Sequence, residues 1–315
     1  MAEPMDPTLT CPPLPPPSPN QPYVEVSTLL GGLFRLPMEI FVADSNPEDI
    51  VPNSPAFGFF LRHSVTKDQI IFDLGIRKDL ESYPPATQRR IDKLFSPTRV
   101  PQSVDEILSK GGVKPEDVKT VMFSHLHWDH VGDIKPFTNA TFVLGGQSEP
   151  ILKQGYPHNL ESVIDARSVP LDRTRFLECD LFTESIGPFP YAYDYYGDGS
   201  LYVVDAPGHI LGHINLLVRT NSTGSWIYLA GDTCHDLRVI LGEREFAVTH
   251  EADGTVICAH ANPAMAKRHI ARVQELYSNR SVEVILAHDW RWYEAAKGIR
   301  NVFFPGIITP RESDV

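Results

Sequence analysis

Ser124-His125-Leu126-His127-Trp128-Asp129-His130 follows directly on Lys119-Thr120-Val121-Met122-Phe123, and the two stretches together decide how the chain is read. The apolar run is too β-branched and too short for a helix of its own, so it predicts a buried strand. Three imidazoles and a carboxylate then fall within positions 125–130, where the strand gives way to a loop. Such a loop lets His125 and His127 turn toward one point while Asp129 and His130 face a second point beside it. Imidazole with carboxylate is a donor set suited to zinc and its neighbours in the first transition row. The plain alternative is an exposed polar turn, but histidines this dense need a common centre to stay together.

Three later apolar runs also finish on residues able to bind a metal. Leu201-Tyr202-Val203-Val204 leads to Asp205-Ala206-Pro207-Gly208-His209-Ile210-Leu211-Gly212-His213. Trp226-Ile227-Tyr228-Leu229-Ala230 leads to Gly231-Asp232, and Val282-Glu283-Val284-Ile285-Leu286 leads to Ala287-His288-Asp289. Four strand ends carrying His or Asp can converge on one edge of a layered fold, where sites commonly gather.

In this order of motifs the chain resembles the metallo-β-lactamase superfamily, over nearly everything from Tyr23 to Pro310. Ser-His-Leu-His-Trp-Asp-His, then Pro-Gly-His-x-x-Gly-His, then a late Ala-His-Asp is similar to the N-acyl homoserine lactonase branch and its fungal lactonase and benzoxazolinone γ-lactamase relatives. The resemblance implies an α/β fold, a four-layer αβ/βα sandwich with two metals at one edge. Carried over by motif, His125, His127 and His213 would hold the first metal and Asp129, His130 and His288 the second, with Asp232 bridging both. His209 would set the turn behind the ligands, and Asp73, at the end of Gln69-Ile70-Ile71-Phe72, would support the histidines from behind. Two zinc ions are the expected cofactor, although manganese, cobalt or iron also suit these donors.

Two metals about 3.5 to 4 Å apart can share a water or hydroxide and make it a nucleophile at neutral pH. The expected function is therefore a dinuclear hydrolase that opens a small cyclic ester or cyclic amide, a lactonase or γ-lactamase of the detoxifying kind. Asp129 would orient the nucleophile or carry a proton. The bacterial lactonases place a tyrosine three residues after the bridging aspartate. Here that position is His235, a catalytic candidate or else a residue at a helix start. Thioester hydrolysis of the glyoxalase-II or polyketide-releasing type is the second reading, and a non-catalytic metal-binding partner protein the third. Expected pocket walls come from two aromatic groups, Tyr193 and Tyr195 on one side, Trp290 and Trp292 on the other; core or dimer packing serves them equally well. Cys234 reads as a small buried side chain, and His158, His250, His260 and His269 as surface or loop residues.

The composition is that of a globular chain: 315 residues, 42% hydrophobic, enough for a sizeable core. Twenty-eight Lys and Arg against 40 Asp and Glu leave a formal charge of -12, which opposes a nucleic-acid partner. Four widely spaced cysteines match no disulfide framework. No stretch approaches the roughly 18 apolar residues of a membrane span, and residues 1–20 lack the basic and apolar regions of a signal peptide. A cytoplasmic protein with a small-molecule lactone or lactam substrate, no nucleic acid and no membrane partner is expected. Residues 4–22 contain nine prolines, so 1–22 reads as a flexible proline-rich arm ahead of a single domain over 23–315. The arm and the aromatic segments are consistent with a homodimer. Alternation predicts strands over 23–29, 56–63 and 69–72, and residues 37–55 read as a long connection able to act as a flap. Helices are predicted over 87–95, over 103–110 from a Ser103 cap with Glu106, and over 265–277.

Overall fold

The strands read from the sequence pair into two sheets packed face to face. The computed structural model describes residues 12–251, 253–298 and 301–309. The first sheet runs Thr98–Arg99, Val24–Pro37, Ile50–His63, Gln69–Phe72, Thr120–Met122, Thr141–Gly145, Thr174–Leu177. The second runs Val282–Ile285, Trp226–Leu229, Ile214–Arg219, Leu201–Asp205, Phe189–Asp194, Glu184–Ile186. Continuous apolar runs form these strands because both faces of each sheet are covered. Ile70, Phe72, Met122, Val203, Leu216 and Ile285 point into the layer between the sheets. The residues that alternate with them face outward into separate cores, Ile71 and Val121 on one side and Val204, Leu217 and Val284 on the other.

Helices close both outer faces. Val104–Lys110 sets Val104 and Leu108 on the first sheet, and the Glu106 carboxylate accepts the Ser103 N–H at 3.2 Å, the reciprocal half of the predicted cap. Pro263–Tyr277 lays Ile270, Val273 and Leu276 on the second sheet and begins at Asn262, whose side chain accepts the Met265 N–H at 3.1 Å. The result is the expected αβ/βα sandwich of four layers.

Strand direction decides where the site lies. Gln69–Phe72, Thr120–Met122 and Thr141–Gly145 are parallel, so their C-terminal ends share an edge. In the second sheet Trp226–Leu229 is parallel to Val282–Ile285. Ile214–Arg219 is antiparallel to both Trp226–Leu229 and Leu201–Asp205, which sets the last two in the same direction. The four strand ends that carry His and Asp therefore leave from one edge of the sandwich.

Several elements differ from expectation. Val24–Pro37 and Ile50–His63 form one long hairpin that takes up much of the predicted connection, leaving residues 38–49 to cross between them. The predicted helix over 87–95 is Pro85–Arg90 followed by a single wider turn, Ile91–Phe95. Residues 1–11 of the proline-rich arm lie outside the described residues. Within the described part of the arm, Leu14 packs on the outer core of the second sheet and Arg219 donates to the Pro15 carbonyl at 3.0 Å, while Pro12, Pro13 and residues 16–20 are exposed. No helix among the described residues is long and apolar enough to cross a membrane.

Leu216 is fully buried between the sheets. Leu216→Ala is expected to cost about 2–5 kcal/mol of stability, read as a lowered urea midpoint at unchanged slope.

Candidate metal centre

The short turn after Thr120–Met122 is fixed before any ligand is considered. Leu74 N–H donates to the His130 carbonyl at 2.7 Å and Gly132 N–H to the Gly75 carbonyl at 3.0 Å, tying the Trp128–Val131 helix to the neighbouring strand end. Asp73, itself at φ 63° and almost fully buried, works from the same place. Its carboxylate accepts the Ser124 N–H and the Ser124 hydroxyl, both at 2.7 Å, and lies 2.8 Å from His130 Nδ1. The Ser124 proton is thereby committed, so its oxygen, 3.0 Å from His125 Nδ1, accepts from that ring. His288 Nδ1 donates to the Pro55 carbonyl at 2.8 Å. In each of these rings Nδ1 is the nitrogen held from behind, and Nε2 is the one that faces the site.

Two donor sets result. In the first, His125, His127, His209 and Asp232 bring their atoms within 4.8 Å of one another; in the second, Asp129, His130 and His288 do so. Asp232 lies between them. Its Oδ2 is 3.7 Å from His125 Nε2 and 3.3 Å from His209 Nε2, while its Oδ1 is 3.2 Å from His130 Nε2 and 3.3 Å from His288 Nε2. Asp232 Oδ1, His130 Nε2 and His288 Nε2 are buried without a hydrogen-bond partner. Buried polar atoms are normally satisfied, so orphans aimed at one point suit a cation. These residues fit a divalent metal by donor chemistry as well.

The electrostatics divide the sets. Burial keeps His125 and His209 well below the usual imidazole range and lowers His127 to about 3, so the three rings of the first set are neutral, the form that ligates. Burial also acts against charge on His130, but the Asp232 and Asp73 carboxylates outweigh it and hold that ring well above its ordinary value. Burial opposes ionisation of Asp232 too; His130, His288 and His235 overcome it and keep the carboxylate ionised.

His209 and His213 exchange the places expected of them. His213 sits behind the site: Nδ1 donates to the Ala206 carbonyl at 2.9 Å, and Nε2 accepts the Asp232 N–H at 3.1 Å. Both nitrogens are used, whereas His209 Nε2 faces the first set, 2.9 Å from His127 Nδ1. Gly231 makes this possible, with φ of 48° and a position where a Cβ would stand 2.7 Å from His213 Nε2. The spacing Gly-His-x-x-Gly-His offers both rings; only the turn between them decides which one faces inward.

His235 lies in the site, its Nε2 3.1 Å from Asp232 Oδ2 and its ring stacked on Phe41 at 4.2 Å. Asp129 is buried at the cleft floor beside His288. The aromatic walls differ from those predicted. The cleft is lined by Phe34, Leu36, Phe41, Phe95, Trp128 and Val163, together with Arg90 and Thr87. Tyr195 instead lines a depression at the opposite end of the sheets with Lys67, Gln69 and Thr120. Antiparallel pairing of Tyr193 with Val203 and of Ala192 with Val204 carries the tyrosines away from the Asp205 end. Trp290 donates to Asp236 Oδ2 at 3.3 Å and Trp292 to Glu283 Oε1 at 2.8 Å, with the Trp292 ring against Phe57 in the inter-sheet core; neither lines the cleft.

Among the remaining histidines, His158 and His250 are exposed, but His260 and His269 are not the surface residues expected. His269 is on the buried face of the covering helix itself, 3.3 Å from the Tyr228 hydroxyl. His260 stands against His209 and His235, with ring centres 5.3 Å and 5.8 Å away, and burial lowers it to about 3. No spacing motif marks it. Cys234 is buried, as expected, and burial pushes its thiol upward.

A family model described as the metallo-beta-lactamase superfamily matches residues 84–213. The "Cytochrome P450 monooxygenase mpaDE" of Penicillium brevicompactum is 29% identical over 86% of this chain and 34% of its own length. The "Gamma-lactamase MBL2" of Gibberella moniliformis is 33% identical over 53% of this chain and 70% of its own. The chain thus spans about a third of the length of the first of these relatives and most of the second. A solved structure of an N-acyl homoserine lactone hydrolase, with the product N-hexanoyl-L-homoserine at its catalytic metal centre, superposes with a TM-score of 0.68 at 18% identity, covering 91% of this chain and 99% of that one. At that identity the likeness is one of fold.

The reversal of His209 and His213 is open to measurement. His209→Ala is expected to lower the zinc retained after dialysis. His213→Ala is expected to leave the donors in place but weaken zinc binding roughly 10–100-fold, since it frees the Asp232 amide. The opposite ranking would restore His213 to the first set.

Proposed function

Because this chain belongs to the metallo-beta-lactamase superfamily, we propose that it is a metal-dependent hydrolase in which the two donor sets hold a pair of divalent ions, zinc by donor type, and that it opens a small cyclic ester or cyclic amide. The observation that carries this reading is the division of one carboxylate between two sets, Asp232 Oδ2 toward His125 and His209 and Oδ1 toward His130 and His288. His125, His127 and His209 would hold one ion and Asp129, His130 and His288 the other. When bound, such ions supply the Lewis acidity that polarises a carbonyl and lowers the pKa of water.

The chain's own residues do the rest. The apolar walls from Phe34, Leu36, Phe41, Phe95 and Trp128 keep bulk water from the reacting carbonyl and give a flat ring a surface to lie on. Asp129 is close enough to His288 to be held in one orientation, and it carries a proton toward the leaving group. His235 shares Asp232 Oδ2 and is fixed by its stacking on Phe41, so its position in the cleft suits a hydrogen bond to the substrate carbonyl. A lactone releases an alkoxide, which needs less help than the amine of a lactam, so ester opening is the easier of the two reactions for this set of residues. The free thiols of Cys179, Cys234 and Cys258 fit a reducing compartment such as the cytoplasm.

The test is metal content together with hydrolysis of γ-lactones, a benzoxazolinone and a glutathione thioester, before and after chelation. About two zinc ions per chain and chelator-sensitive opening of one ring class are expected, with Asp232→Ala lowering the rate at least about a hundredfold. A metal-loaded protein that opens no ring, or cleaves the thioester alone, would overturn the reading.

A further inference from the structure

The cleft has one feature that ring opening does not use. Arg90 is the single Lys or Arg among its described lining residues. It closes the Pro85–Arg90 helix, where Thr87 and Arg90, three residues apart, share a face. The Thr87 hydroxyl donates to the Val163 carbonyl at 3.0 Å and ties that face to the neighbouring segment of the cleft lining.

Nearby guanidinium groups are committed. Arg89 is 2.6 Å from Glu161, Arg77 is 2.7 Å from Asp79, Arg167 is 2.8 Å from Asp165, and Arg35 donates to the Leu94 carbonyl at 2.8 Å. Arg90 has no carboxylate or carbonyl partner among the described residues. Its guanidinium stands over the Phe95 ring, whose centre lies 6.0 Å from its Cζ. Arg90 is exposed, so that contact leaves the five N–H donors of the fork to solvent at the mouth of an apolar cleft, open to exchange for a ligand.

The charge of the whole chain sharpens the point. At a formal -12 it repels anions at long range, so an anionic ligand needs a local cation to enter. A guanidinium left unpaired beside aromatic walls matches a planar acid: the ring lies against Phe95 and Trp128 while the carboxylate meets the fork in bidentate fashion.

We propose that Arg90 is a specificity-determining residue that selects substrates bearing a carboxylate at the end remote from the scissile carbonyl, on an aromatic or other flat apolar body. The inference rests on the hydrolase reading of the same cleft and narrows it from any small ring to an acidic one.

The test uses the zinc-loaded protein and a matched pair of probes, a γ-phenyl-γ-butyrolactone carrying a carboxylate on its phenyl ring and the methyl ester of the same compound. Calorimetric titration gives the acid-to-ester affinity ratio, and ring opening is followed on the same samples. Any affinity of the carboxylate for zinc is common to all variants, so the ratio isolates the contribution of Arg90. Arg90→Gln is compared with Arg89→Gln, which removes an equal charge one residue away but from a side chain already paired with Glu161. The wild type is expected to favour the acid, Arg90→Gln to lose that preference about tenfold or more, and Arg89→Gln to keep it.

Equal binding of the two probes by the wild type, binding of neither, or a preference that survives Arg90→Gln overturns the proposal. Ring opening with a ratio indifferent to Arg90 would retain the hydrolase reading and reject the specificity. An Arg90-dependent preference for the acid with no opening of either ring would do the reverse.

Discussion

A buried carboxylate held among imidazoles is the constraint on which the rest of this structure depends. Asp232 is 2% exposed and its carboxylate has five histidines within 3.7 Å: His125, His130, His209, His235 and His288. Burying a carboxylate is costly unless it is paired and hydrogen-bonded. The pairing here draws on both sheets, since His125 and His130 leave the first while Asp232, His209 and His288 leave the second. The site and the sandwich are therefore not separable, because the polar edge is satisfied only when the two sheets meet in one register.

Behind the inward-facing nitrogens stands a second group of contacts that hold each ring in one orientation. Asp73 through Ser124 and His130, the Pro55 carbonyl through His288, and the Ala206 carbonyl through His213 all act on atoms pointing away from the site. Contacts of this kind fix which nitrogen of each ring is turned toward the site. The cleft above it is built differently. Phe34, Leu36, Phe41, Phe95 and Trp128 belong to a single apolar cluster beside the site, so the walls are an extension of core packing, with Thr87 and the exposed Arg90 the polar residues beside them.

Much of this was legible in the sequence. Runs such as Val121-Met122-Phe123 and Trp226-Ile227-Tyr228-Leu229 read as buried strands because neighbouring residues enter different cores, which leaves no polar face. Ligand-type residues directly after those runs located the edge, since strands that run in one direction end together. The pattern said less about the cleft walls. Tyr193, Tyr195, Trp290 and Trp292 lie near ligands in sequence, yet pairing of the Phe189–Asp194 strand and packing of the Trp290–Ala296 helix carry them elsewhere. Phe41 and Phe95, distant in sequence from the histidines, reach the cleft through the long hairpin and the wide turn after Arg90.

The sequence by itself determined the layered α/β class, the strands whose ends carry His and Asp, and the chemical type of the donors, because each follows from local periodicity and side-chain chemistry. Only the tertiary structure decided that His209 faces inward and His213 backs Asp232, that His260 is buried beside them, and that Arg90 stands unpaired over Phe95. Each of these depends on which way a turn projects a ring or which partners come within a few ångströms, and neither is written in spacing along the chain.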